Sequence, residues 1–157
     1  MPAAIVINTG ELAVAHNDAR IRTGGVGSCV IIVLYDDAAK VGGMAHAMLP
    51  SRRPGEPRSP DEAAAKYADE SVDRLIGEIE KRGGRKERLR AKLVGGAQMF
   101  RILSGDQHGI GRQNVDAAGN RLRALAIPID GEDTGGTAGR IAELNLENGS
   151  VEIFTKL

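Results

Sequence analysis

Cys29 is the one cysteine of the chain, and it joins two contrasting stretches. Before it runs Thr23-Gly24-Gly25-Val26-Gly27-Ser28, and after it Val30-Ile31-Ile32-Val33-Leu34-Tyr35. A glycine-rich backbone lets another molecule approach closely. A thiol at the mouth of a stiff strand is well placed to act as a nucleophile. Such a thiol needs a proton partner, and His46 lies in a second apolar stretch, 41–49, closed by Pro50. Pairing with imidazole favours thiolate–imidazolium and brings a thiol of ordinary pKa about 8.5 into reactivity near neutral pH. The same imidazole would protonate the departing group. The amides of Gly27-Ser28-Cys29 are natural oxyanion donors, with Gly27 and Ser28 forming the substrate loop. Something must orient the imidazole, and an Asp, an Asn, a hydroxyl or a backbone carbonyl would all serve. One cysteine and three dispersed histidines, His16, His46 and His108, offer no metal-ligand spacing, so no metal or other cofactor is expected.

The elements that must hold these groups follow from the pattern. The run after Cys29 is apolar on both faces, as in a central strand covered on each side. Asp36-Asp37-Ala38-Ala39-Lys40 breaks it, and 41–49 forms its hairpin partner. A turn centred between Asp37 and Ala38 sets Leu34 against Val41 and Cys29 directly against His46. Opposed Cβ atoms lie roughly 4.5–5.5 Å apart, and a one-residue slip would part the two side chains. Gly42-Gly43 marks a bulge or a close backbone contact. Upstream, residues 3–7 and the alternating 11–16 are strand candidates.

Residues 51–58, with Arg52, Arg53 and Arg58 among prolines, predict an exposed loop or a lip that greets an acidic partner. Ser59-Pro60-Asp61-Glu62 has the form of a capping box and starts a helix. Ala64, Tyr67, Ala68, Val72, Leu75, Ile76 and Ile79 give its apolar face, and Gly83-Gly84 end it. The cations between 81 and 92 predict a helix end and a solvated loop. Residues 91–94 form a strand leading into Gly95-Gly96-Ala97-Gln98-Met99-Phe100, where no phosphate-loop Gly-Lys-Ser/Thr follows. His108 falls in a polar loop. Ile110-Gly111-Arg112-Gln113-Asn114 precedes a second helix through Val115, Ala118, Leu122 and Leu125. A short strand at 126–129, a glycine-rich loop at 132–140 that could wall the cleft, and a C-terminal hairpin complete the chain. Eight or nine strands and two main helices predict an α+β or layered α/β fold with mixed, largely antiparallel sheets.

The 157 residues suit a single domain, 1–157, with a substantial core. Formal net charge is zero, which argues against bulk binding of nucleic acid or membrane. Tyr35, Tyr67, Phe100 and Phe154 are the only aromatics, too few for a base-stacking surface. A lone cysteine fits a reducing compartment, and no apolar run reaches the roughly 18 residues of a spanning helix. A cytoplasmic protein is expected.

Thr23-Gly24-Gly25-Val26-Gly27-Ser28-Cys29, followed by Gly42-Gly43-Met44-Ala45-His46-Ala47-Met48-Leu49-Pro50, resembles the chemoreceptor glutamine deamidase family, CheD. Lys66-Tyr67-Ala68, Gly95-Gly96-Ala97-Gln98-Met99, Ile110-Gly111-Arg112-Gln113-Asn114, Asp133-Thr134-Gly135-Gly136 and Gly139-Arg140 extend the likeness, in order, over nearly the whole chain. The resemblance implies hydrolysis of receptor glutamine side chains to glutamate, with ammonia released through a thioester. It implies Cys29 as nucleophile, His46 as general base and acid, and Thr23 as the third member, orienting His46. A layered α/β fold related to bacterial deamidating toxins goes with it. So do the cytoplasmic domain of a methyl-accepting chemoreceptor as substrate and, in many members, a CheC-type phosphatase as partner of an otherwise monomeric protein. Glutamyl methyl esters differ only in the leaving group, so a receptor methylesterase side activity is plausible. Gly24 departs from the family, which commonly has a larger apolar residue there. A reading from another class stands beside the enzyme: a non-catalytic chemotaxis adaptor that binds receptors or a phosphatase and regulates by occupancy, with Cys29 idle. A general cysteine amidase or protease is a third.

Overall fold

In the computed structural model, residues 4–98 and 109–155 are described. Met99, Phe100 and His108, placed above in a turn and a polar loop, lie outside them. The strands are β1 (Ile5–Ile7), β2 (Leu12–His16), β3 (Arg20–Thr23), β4 (Val30–Asp36), β5 (Val41–Ala47), β6 (Arg90–Gly95), β7 (Ile129–Thr134), β8 (Arg140–Asn145) and β9 (Val151–Thr155). Two α-helices, α1 (Ala68–Lys81) and α2 (Ile110–Ala124), and a short 3-10 turn at Lys86–Arg88 join them. Five strands form one sheet in the order β2-β5-β4-β6-β7, and four form another in the order β1-β3-β8-β9. Among the described strand pairs only β6–β7 and β1–β3 are parallel. This is the expected α+β fold with mixed, largely antiparallel sheets.

Alternation along β4 and β5 divides the interior in two. Val30, Ile32, Leu34, Ala45 and Ala47 face α1 and α2. Ile31, Val33, Tyr35 and Met44 face the second sheet, packing on Ile7, Ile21, Ala142, Leu144 and Leu146. The order is therefore helices, five-stranded sheet, four-stranded sheet. Every residue of β4 and β5 is buried, as a doubly apolar strand demands. Gly42 and Gly43 mark close contact and not a bulge, since the ladders run through them unbroken. A Cβ on Gly43 would stand 2.8 Å from the Ala13 carbonyl oxygen and 2.9 Å from a Leu75 methyl.

Several boundaries differ from expectation. The capping box at Ser59 closes only a local turn, with Glu62 N–H donating to the Ser59 carbonyl. Glu62 cannot reach back as a cap, because its carboxylate accepts from Arg52 Nη2 at 2.5 Å. Residues 63–67 instead follow the end of β5, where the Met48 and Leu49 amides donate to the Lys66 carbonyl. Helix α1 starts at Ala68, buries Val72, Leu75, Ile76 and Ile79 as predicted, and ends where Gly84 N–H donates to the Ile79 carbonyl. Helix α2 begins at Ile110, so the 110–114 segment is its first turn and not its approach. Residues 126 and 127 finish that helix, with Ile127 N–H on the Leu122 carbonyl, so β7 starts only at Ile129. The strand at Arg20–Thr23 was unforeseen in the sequence. It is short, and its outward Arg20 and Arg22 mask the alternation.

Candidate active site

The β4–β5 ladder pairs Ile31 with His46 and Asp36 with Val41. This corrects the expected direct opposition of Cys29 and His46. The turn holds four residues and not two, because the buried Asp36 carboxylate accepts the amides of Ala38 and Ala39 at 3.1 and 3.2 Å. Lys40 closes it with φ of 56°. The register thus moves by two, which preserves the face. Cys29 immediately precedes β4, and extending the ladder by one residue would make it the diagonal neighbour of His46. Diagonal positions are roughly 7–8 Å apart, with Cβ atoms somewhat closer.

Each of the three residues belongs to the layer between the sheets. His46 follows Met44 on the inner face of the five-stranded sheet, and the residue is 1% exposed. Its amide donates to the Glu11 carbonyl, and its carbonyl accepts from Gly10 N–H. Thr23 follows Ile21 on the inner face of the four-stranded sheet and is buried. Its Oγ1 accepts the Ala142 amide at 2.9 Å, which leaves the hydroxyl its own proton to donate. Cys29 is half-buried and packs against the inter-sheet core. Neither ring nitrogen of His46 has a hydrogen-bond partner among the described residues, Thr23 included.

The turn that carries the thiol is held by its carbonyls. Gly27 accepts from Ala97 N–H at 2.9 Å, and Cys29 from Gly96 N–H at 2.7 Å. Ser28 accepts from the side-chain amide of Asn114 at 2.9 Å. Gly95 and Gly96 both have positive φ, and a Cβ on Gly95 would stand 2.5 Å from the Cys29 carbonyl oxygen. The glycine-rich segment after β7 backs this turn. Gly135 N–H donates to the Gly95 carbonyl, and Gln98 N–H to the Gly136 carbonyl. It is a wall one layer removed from the thiol, with Thr134 at the end of a strand and not in a loop.

Burial sets the electrostatics. Desolvation pushes the Cys29 thiol above its ordinary range, opposed by the thiol's own amide. Desolvation also pulls His46 down to about 4, opposed by the charge of Glu11. Both perturbations favour the uncharged forms, so the resting pair is thiol and neutral imidazole, against the expected ion pair.

Other predicted features resolve differently. Arg52 is not offered to a partner: it binds Glu62 and Glu70 and lies over the Tyr67 ring at 4.6 Å, while Tyr67 donates its hydroxyl proton to Glu56. Within the cationic run, Arg88 and the Arg85 amide hold the buried Asp36 carboxylate. Asn114 is the residue that the motif contained and the sequence reading did not use. It is fully buried, and its amide also donates to the Met48 carbonyl at 3.1 Å. A buried amide three residues after a glycine on one helix face was the available signal.

Comparison with known proteins completes the picture. A family profile described as CheD chemotactic sensory transduction matches residues 48–155. A protein of Halalkalibacterium halodurans named chemoreceptor glutamine deamidase CheD is 44% identical over 99% of this chain and 95% of its own length. Proteins of Pyrococcus abyssi and Moorella thermoacetica, each named probable chemoreceptor glutamine deamidase CheD, are 44% and 42% identical over 98% of this chain and 92% of their own. The profile begins two residues past His46, but these relatives align along nearly the whole chain, and on both counts it belongs to the CheD family.

Proposed function

We propose that this chain is a single cysteine-dependent deamidase domain that converts glutamine side chains of chemoreceptor cytoplasmic domains to glutamate. The observation that supports the reading is a half-buried Cys29 packed on the inter-sheet core, two residues before Ile31, the ladder partner of His46. The names of the relatives support the substrate class. Cys29 Sγ attacks the amide carbon as neutral His46 takes the thiol proton. The carbonyl oxygen gains negative charge and is met by the amides of the turn around Ser28. The carbon–nitrogen bond breaks, and His46 returns the proton to the departing nitrogen, which leaves as ammonia. Water then attacks the thioester with His46 as base. The carbon–sulfur bond breaks to give glutamate and the thiol. Thr23 Oγ1, which bonds neither ring nitrogen in the resting protein, would accept the imidazole N–H as substrate binds, so that the other nitrogen keeps its lone pair for the thiol proton. A glutamyl methyl ester would follow the same route with methanol leaving. The CheD resemblance also supports a cytoplasmic protein, monomeric alone, with a CheC-type phosphatase as partner.

The test is incubation of the protein with a receptor cytoplasmic fragment, followed by peptide mass analysis. Wild type should add about 1 Da per modified glutamine, and Cys29→Ala should add none. Receptor binding without any mass gain from wild type would instead establish the adaptor reading, and cleavage of the receptor backbone would establish a protease.

A further inference from the structure

The Asn114 side chain spans two segments that the deamidase reading makes central. Its amide nitrogen lies 2.9 Å from the Ser28 carbonyl oxygen, one residue before the nucleophile, and 3.1 Å from the Met48 carbonyl oxygen, two residues past His46. Both partners are pure acceptors, so the NH2 group must face them and the orientation of the amide is unambiguous. Asn114 Oδ1 is left buried with no partner among the described residues. Buried polar atoms are nearly always satisfied, so an orphan of this kind calls for an explanation.

The approach of α2 makes the contact possible. A Cβ on Gly111 would stand 2.6 Å from the carbonyl oxygens of both Gly96 and Ala97, so only glycine lets the first turn of the helix seat on that backbone. Asn114 lies three residues on, on the same face of the helix. The carbonyls of Gly27, Ser28 and Cys29 are then all engaged by groups from 96, 97 and 114. The described chain has no cis peptide bond. In a trans peptide the C=O and N–H point in opposite directions. Holding the Ser28 carbonyl toward α2 therefore turns the Cys29 N–H away from it.

We propose that Asn114 is the positioning residue of the nucleophile turn: by holding the Ser28 carbonyl it aims the Cys29 amide at the developing oxyanion, and by holding the Met48 carbonyl it ties that turn to the strand end that follows His46. This rests on the deamidase reading. Asn114 itself touches no reacting atom.

The experiment compares wild type, Asn114→Ala and Asn114→Asp with a receptor cytoplasmic fragment, following kcat and KM by the mass gain. In parallel it follows the rate at which iodoacetamide alkylates Cys29. Alkylation displaces iodide and develops no oxyanion, so it reports thiol access and ionisation but not oxyanion binding. N114A should lower kcat by about 10²-fold, in the range for loss of one oxyanion donor. KM and the alkylation rate should stay within about threefold of wild type. N114D keeps the volume, and as pH falls its protonated carboxyl can donate one hydrogen, so its kcat relative to N114A should rise with acidity. An N114A kcat within threefold of wild type overturns the proposal, and so does alkylation that falls in step with kcat. If N114A does not fold, N114D decides alone, and a kcat equal to wild type at every pH overturns the proposal. Absence of mass gain from wild type overturns the deamidase reading and this inference with it.

Discussion

Ile31 stands directly across from His46 in the ladder of the two central strands. Cys29 is two residues earlier, just before the strand begins, and packs on the same inter-sheet core as Ile31; continued to it, the ladder would set it one diagonal step from His46. The four-residue turn built on Asp36 produces this offset. In the proposed mechanism such an offset would have the thiol meet His46 with substrate bound, since neither ring nitrogen is hydrogen-bonded at rest.

The resting thiol should behave as an unactivated one. Cys29 is pushed up by burial and His46 pulled down by the same cause. Alkylation by iodoacetamide should rise with pH along an apparent pKa above the ordinary thiol value of about 8.5. His46→Ala should leave that curve in place while abolishing deamidation. A plateau of reactivity between pH 5 and 7 that vanishes in H46A would show a standing thiolate–imidazolium pair instead.

Acid should weaken the fold through His46. Its folded pKa of about 4 lies below the unfolded value near 6.5, so between these limits the unfolded chain binds the extra proton. The stabilisation from keeping the ring neutral is complete above about pH 6.5 and declines as pH falls toward 4. Between pH 7 and 5 the loss should be up to about 2 kcal/mol. Urea unfolding of wild type and His46→Leu at both pH values measures it. The Leu variant should have the flatter dependence, and equal slopes would remove His46 as the cause.

Thr23 should prove structural as well as chemical. Its oxygen is the acceptor for the buried Ala142 amide. Thr23→Val leaves that N–H unsatisfied, which costs about 1–3 kcal/mol. Thr23→Ser retains the acceptor and should be closer to wild type in thermal midpoint and in deamidation rate. Equal midpoints for the two variants would show that the bond contributes nothing to stability.

Much of this molecule was legible in one dimension. A doubly apolar run after Cys29 implies a buried central strand, and β4 is buried throughout. The periodicity of Val72, Leu75, Ile76 and Ile79 implies a helix face that is buried as drawn. Both signals depend on the local order of apolar and polar residues, a continuous run in one case and a helical period in the other. The parity that puts Cys29 and His46 on one face was legible too, because a two-residue register change leaves it intact.

What the chain could not reveal alone was set by partners distant along it. Arg52 draws Glu62 out of its cap, and an Asp36 carboxylate held by Arg85 and Arg88 widens a turn. The polarity of the site had the same origin. A motif names a thiol and an imidazole, but the two stacked sheets decide how much water reaches them, and that loss of solvent leaves both uncharged at rest. Residue types are written in the sequence, whereas desolvation and hydrogen-bond partnership are properties of the packed whole.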